Sequence, residues 1–328
     1  MDAERRSRLL GVKLQTLAAE ALGVSGVPGV FAGGAAISGG DAAVVLLDEQ
    51  PERGLGRALA WARQAGAAAV HVLADDPAVA AGLARRAACF AAPPSVWAVD
   101  GRTLSRAEPV PLAEPPAPPV EALDLAPMLV DAGCDVVVEH GEVGGEVLGL
   151  EVARVVVGDG FTAVQAGVGR HDREAFAMVH GDLPPADALA KVVAAAREHR
   201  RPDLPDHPLH RLAAERWLRE VVLADPARAG VDVALERHEG PAPRPNVRDP
   251  WPAVAVGPGA VVVTSVGIDL DLVPYAADAR LAAAPGARLV LVVPERDAHP
   301  VTQALAAALT QPADVVAVPA DWRALLPT

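Results

Sequence analysis

The densest run of reactive side chains in the chain is GVGRHDREAFAMVHGD, residues 167–182, where Arg170, His171, Asp172, Arg173 and Glu174 stand consecutively between two apolar segments. His171 beside Asp172 has the residue types of a general base and its carboxylate, and Arg170 and Arg173 could hold an anion. With Glu174 added, Arg170, His171, Asp172 and Glu174 form the candidate catalytic set. Adjacent residues on a strand point to opposite faces, so His171 and Asp172 form a working pair only in an irregular loop. The competing expectation is structural: a charged hairpin tip, or a helix N-terminus capped by Asp172. Over residues 174–180 the periodicity is too short to decide between a further strand and a short helix stopped by Gly181.

Carboxylates supply the second kind of chemistry. Ligands of open parallel sheets bind outside the carboxyl ends of the strands, and acids stand at all six such ends: Asp48 and Glu49, Asp75 and Asp76, Asp100, Asp269 and Asp271, Glu295 and Asp297, and Asp321. Asp269 and Asp271 here, with Glu146 and Glu151 in the middle of the chain, are the candidates for a Mg²⁺ or Mn²⁺ site, because a hard cation takes oxygen ligands and is often held by only one or two carboxylates. Capping is the stronger expectation for the strand-end set. Asp76 directly precedes Pro77, the pattern of an N-cap followed by proline at the first helical position.

The elements that must position these residues fall into three groups. Residues 41–49, 53–66, 68–76, 77–90 and 95–101 read as strand, helix, strand, helix and strand, and residues 259–267, 272–283, 287–295, 299–310 and 314–322 repeat that order. Both are βαβαβ units with short links, the pattern that builds parallel sheets. Ala62-Arg63 answers Ala279-Arg280, and Val96-Trp97-Ala98-Val99 answers Val315-Val316-Ala317-Val318, which points to an internal repeat. Between the ends, a short helix near 123–132 precedes a Gly-rich stretch read as an antiparallel meander with turns at Gly144-Gly145 and Gly158-Asp159-Gly160, and two helices come after it. The expected fold class is α/β, with two βαβαβ parallel-sheet modules at the chain ends flanking an α+β middle domain. The expected boundaries are 1–108, a proline-rich linker at 109–121, a middle domain at 122–238, a second proline-rich linker at 239–252, and a C-terminal module at 253–328.

These residues carry three resemblances. Asp269-Leu270-Asp271-Leu272-Val273, at the end of an apolar strand, resembles over about ten residues the first motif of haloacid-dehalogenase-type phosphatases, which implies a nucleophilic Asp269 and an acid/base Asp271. No later pair of acids with a basic residue before it completes that motif. The order helix, three strands, helix in the middle domain is similar over roughly seventy residues to the core of PD-(D/E)xK nucleases, which implies Mg²⁺ held by a second-strand acid, Glu146 or Glu151. Where that family places an acid and a lysine on the third strand, this chain has Gln165-Ala166-Gly167. The stretches GRHDREAFAMVHGD and HPLHRLAAERWLR resemble those of uncharacterised hypothetical proteins of high-GC bacteria, a likeness that implies no activity.

Composition limits the rest. The 328 residues are 51% hydrophobic with a formal net charge of −13, which suits a large buried core and argues against an extensive nucleic-acid surface. Local phosphate contact near Arg197, Arg200, Arg201 and Arg211 is compatible with that balance, but acids interleave with these arginines and with Arg216 and Arg219, so a solvated helix face is the stronger expectation. Two isolated cysteines, no signal-peptide pattern and no long apolar run give the expectation of a cytoplasmic protein without membrane contact. With every enzyme motif incomplete, the leading expectation is a ligand- or protein-binding protein, and the alternative is a metal-dependent phosphoester hydrolase of nuclease-like fold.

Overall fold

In the computed structural model, which describes residues 3–180, 182–204 and 207–326, the chain opens with helix α1 (Ala3–Ala21) and strands β1 (Val27–Gly29), β2 (Gly34–Gly39) and β3 (Ala42–Leu47). Leu14, Leu17 and Ala18 of α1, three and four residues apart, share one face and pack on Ile37, Val44 and Leu46. All six residues of β3 are buried, as befits a parallel-sheet strand covered on both sides. Helix α2 (Leu55–Gln64), β4 (Ala69–Ala74), α3 (Pro77–Ala87) and β5 (Ser95–Asp100) come next, with β3, β4 and β5 neighbouring and parallel. Strand β6 (Thr103–Arg106) adds an antiparallel edge. Asp76 caps α3 by accepting from the N–H groups of Ala78 and Val79 at 2.7 and 3.4 Å.

Helices α4 (Val120–Leu123) and α5 (Ala126–Asp131) lead into β7 (Asp135–Glu139), β8 (Glu142–Val147), β9 (Leu150–Gly158) and β10 (Phe161–Ala166), an antiparallel meander in the order β10-β9-β8-β7. It has four strands where the sequence reads as three, and Gly144-Gly145 lies inside β8 instead of at a turn. The turns fall at His140-Gly141 and Leu148-Gly149, where φ is 51°, 79°, 49° and 74°. Two consecutive positive φ values make the type I′ turn that suits a two-residue hairpin. Residues 174–180 are helical, within α6 (Gly169–His180), and α7 (Pro185–His199) comes after it.

The remaining elements are α8 (Ala214–Ala224), β11 (Glu236–His238), β12 (Ala253–Gly257), β13 (Ala260–Thr264), α9 (Leu272–Ala283), β14 (Arg288–Pro294), α10 (Pro300–Ala307) and β15 (Asp314–Val318). The two ends form separate sheets of six and five strands, each in sequential order, and β11 to β14 repeat the succession of senses of β1 to β4, antiparallel, antiparallel, parallel. The fold is thus mixed α/β with an antiparallel sheet in mid-chain. Among the described residues no helix is long and apolar enough to cross a membrane.

By contact density the chain divides into two units. The first is Met1–Leu112 with Leu270–Leu281 and His299–Asp314, and the second is Ala113–Asp269 with Ala282–Ala298 and Val315–Thr328. Most of α9 therefore belongs to the first unit, where the buried Asp278 accepts from Arg85 Nε and Nη2 and from Arg86 Nε, each at 2.8 Å. Bidentate pairing of this kind fixes orientation as well as charge, and it ties α9 to α3.

Candidate functional site

The second unit contains a cavity of about 680 Å³, lined by one face of β7, β8 and β9, by Arg216 of α8, by the start of α6 and by residues 243–249. Strand alternation separates two chemistries across the meander. Val143, Val147, Val152 and Val155 face a core shared with Leu129, Leu189 and Val193. The opposite face carries acids. Asp135, Glu146 and Glu151 are direct cross-strand neighbours on three successive strands, and Glu139 opposes Glu142. Like charges so placed repel, so the face requires cations. Gly144, between Glu142 and Glu146, contributes no side chain and leaves room above the sheet.

One of those cations depends on a backbone irregularity. Strict alternation would send Arg154 to the face opposite Glu151, three residues earlier. The register slips here: Gly145 pairs with Ala153 and Glu146 with Glu151, leaving Val152 as the extra residue of a β-bulge. A bulge re-aims the side chains beyond it, and Arg154 joins Glu151 on the acidic face. Its Nε and Nη2 donate to Glu151 at 3.2 and 2.7 Å, and its Nη1 lies 2.6 Å from Glu142. Arg173 of α6 also donates to Glu151.

Helix α8 supplies the others. Trp217, Leu218, Val221 and Val222 form its apolar stripe and pack in the core of the five-stranded sheet, while Glu215, Arg216, Arg219 and Glu220 occupy the opposite side at the same helical spacing. The sequence suggests a solvated face for those arginines. The structure corrects this: Arg219 is 1% exposed, because the charged side of α8 packs on the acidic face of the meander. Arg216 donates to both Glu139 and Glu146, and Arg219 Nη2 donates to Glu146 at 3.2 Å. Burial of Glu146, which is 2% exposed, would raise its pKa, but Arg216 and Arg219 outweigh that effect and hold the carboxyl below its ordinary value.

The third wall joins α6 to residues 243–249. Asp172 accepts from Val168 N–H at 2.6 Å, reaching back to the start of its own helix. Asn246 Oδ1 accepts from the N–H groups of Arg248 and Asp249, both at 2.8 Å, a side-chain turn that fixes the segment. Arg244 Nη2 is held by Glu215 at 3.2 Å and by the carbonyl of Val247 at 3.0 Å. At Gly169 φ is 73°, and a Cβ there would lie 2.9 Å from Val247 Cγ2, so only glycine allows the two segments to approach so closely.

Five of the candidate residues, Arg170, His171, Asp172, Glu146 and Glu151, line this cavity. His171 and Asp172 do not pair: the His171 side chain is 95% exposed, with its Nδ1 3.7 Å from Glu174. Glu174 also pairs with Arg170 at 3.3 Å. Asp271 belongs to the first unit, buried, 3.2 Å from Arg86 Nη1 and accepting from Gly56 N–H. Asp269 belongs to the second unit and lies outside the cavity lining. Among the described residues no three His, Cys, Asp or Glu side chains converge as a metal site would require. Arg200 is corrected as a phosphate contact: its guanidinium is buried and donates to the carbonyls of Leu148, Leu209, Leu212 and Ala213. Arg197 donates to Gly133 O, Arg201 pairs with Asp203, and Arg211 is exposed.

Sequence reasoning passed over Arg154, Arg244 and Asn246 in the cavity lining and read Arg216 as part of a solvated face. The signals were present in EHGEVGGEV, whose three glutamates need partners, and in PRPNVRD, whose asparagine precedes two amides that it can cap. Comparison with family models, curated proteins and solved structures returns no match.

Proposed function

We propose that this chain is a ligand-binding protein whose ligand, a small charged molecule, occupies the cavity above the acidic face of the meander. The observation that carries the reading is that the lining carboxylates of the meander, Glu139, Glu142, Glu146 and Glu151, are each paired to at least one arginine. Such pairing leaves them poor ligands for a metal but holds the guanidiniums in fixed positions, the preorganisation that recognition of a charged ligand needs. A volume of 680 Å³ lies in the usual range for small-molecule sites. The test is thermal unfolding with a panel of charged metabolites, using wild type and Glu142→Trp. Glu142 is an exposed lining residue, so tryptophan there obstructs the cavity without breaking a buried pair. A ligand at a hundred times its Kd should stabilise wild type by about 2.7 kcal/mol and leave the variant unmoved.

A metal-dependent phosphoester hydrolase is kept as the second reading because Glu146 and Glu151 are direct cross-strand neighbours. It requires both to exchange arginine for Mg²⁺ or Mn²⁺. Stabilisation by millimolar Mg²⁺ or Mn²⁺, lost in Glu151→Gln, would establish it in place of the first.

A further inference from the structure

Strands β11 and β12 pair antiparallel, with His238 opposite Val254, yet the chain between them runs from Glu239 to Pro252 without a regular element. Hairpin loops usually hold about two to five residues, and much longer ones with no structure of their own are commonly lids or binding loops. Residues 243–249 of this loop all line the cavity and so form one whole wall of it.

The loop has a fixed neck and a stiff head. At the neck, Trp251 Nε1 donates to Ala242 O at 3.3 Å, and Trp251 N–H donates to Glu215 Oε1 at 2.9 Å. Glu215 is a buried residue of α8, which anchors the neck to the body of the second unit. In the head, Pro243 and Pro245 have φ fixed by their rings, Asn246 holds the amides of Arg248 and Asp249, and Arg244 Nη2 ties back to Val247 O. A segment braced within itself moves as one piece. Among the described residues, two hydrogen bonds join 243–249 to the rest of the second unit: Arg244 Nη2 donates to Glu215 Oε1 at 3.2 Å, and Ala213 N–H donates to Val247 O at 3.3 Å.

The closed position also carries costs that opening removes. Arg244 Nε is buried without a hydrogen-bond partner among the described residues, and a buried donor left unmet is unfavourable. Burial, reinforced by Arg216, lowers the pKa of Arg244 against the pull of Glu215, so closure places a charge where charge is disfavoured. Water relieves both.

We infer that residues 243–249 are a lid on the cavity, swinging about the neck at Ala242 and Trp251 and latched shut by the Arg244–Glu215 ion pair. Glu215 then acts twice, keeping the Trp251 amide at the hinge while it holds or releases Arg244. Val247 is the closing contact, seated on Gly169 where a Cβ would lie 2.9 Å from Val247 Cγ2. Such a lid admits a ligand when open and excludes water from it when shut. This assignment rests on the ligand-binding reading above.

The test follows the lid with no ligand present. Spin labels on Arg248→Cys in the lid and on Asp159→Cys in the turn between β9 and β10, both exposed sites, report their separation by double electron–electron resonance in the full chain carrying Cys89→Ser and Cys134→Ala. Without further substitution a short distance should dominate. Arg244→Ala should raise the population at a second, longer distance about tenfold, the effect of losing one charge-assisted hydrogen bond less the costs relieved. Glu215→Gln, which keeps an acceptor for the Trp251 amide, should shift the populations the same way, and unchanged unfolding midpoints are the control for folding. A single distance common to all three proteins overturns the lid. A broad, featureless distribution in the variants also overturns it, since that marks a loop that unravels instead of one that swings. An immobile loop together with a panel ligand that acts on wild type and fails with Glu142→Trp means that the lid alone has failed. A swinging loop with no panel ligand acting through the cavity means that the ligand-binding reading has failed while the hinge stands.

Discussion

Replacing Glu146 by glutamine tests whether the acidic face of the meander is a structural charge network. Glu146 is 2% exposed and shared by Arg216 and Arg219, the latter 1% exposed. Removing its charge leaves Arg216 and Arg219 to share Glu139, with Glu220, 3.5 Å from Arg219 Nε, as the remaining carboxylate of Arg219. Loss of one partner from a buried pair costs about 3–5 kcal/mol, and since glutamine keeps one acceptor oxygen, the lower end, about 3 kcal/mol, is expected. For a domain of this size that is roughly 6–12 °C in Tm. The pH dependence comes from the carboxyl being held below its ordinary value of 4.5. A depressed folded pKa contributes stability that is fully present above the unfolded value and is lost as pH falls through the folded one. The difference between wild type and Glu146→Gln should therefore be constant from about pH 7 to about pH 5 and close below about pH 4.5. Urea unfolding of both proteins across that range, with unchanged m-values, reads it directly. A variant more stable than wild type would mark Glu146 as a carboxylate held at a cost for chemistry, and a difference that ignores acid would refute the ion-pair account.

Asp172→Ala should cost about 0.5–2 kcal/mol and Asp172→Asn much less, since the carboxylate accepts from Val168 N–H. His171→Ala should fall within roughly ±0.5 kcal/mol, its ring being almost wholly exposed; chemical denaturation of the three variants separates a helix terminus from a catalytic dyad. Limited proteolysis should cut residues 109–119, which form no regular element and are largely exposed, before residues 243–249, which Glu215 and Asn246 pin. Mass spectrometry of the first fragments decides the order.

Much of the fold was legible because its signals are local. The apolar runs of β3, β4, β13 and β14, bounded by Gly, Asp and Pro, announce parallel strands with helices between them, and Asp76-Pro77 announces the start of α3. Residues 174–180 were not legible, since less than two turns of pattern cannot separate a period of two from one of 3.6. The cavity was half legible. GVGRHDREAF, Glu146 and Glu151 stand out as reactive, but their meeting depends on long-range pairing that periodicity does not carry. The bulge at Val152 reverses the face on which Arg154 emerges, and nothing in LEVARVVV reveals it. Arg216 and Arg219 look like a wetted helix face until the acids of β7 and β8, some seventy residues earlier, are seen to cover them.

The location of the ligand is the most direct test of the account. Amide hydrogen exchange of wild type with and without a saturating concentration of the strongest stabiliser from the panel should show protection at residues 168–173 and 243–249, two of the segments that line the cavity. Protection confined to the strand ends near Asp48, Asp75 or Asp271, with residues 168–173 and 243–249 unchanged, would contradict it.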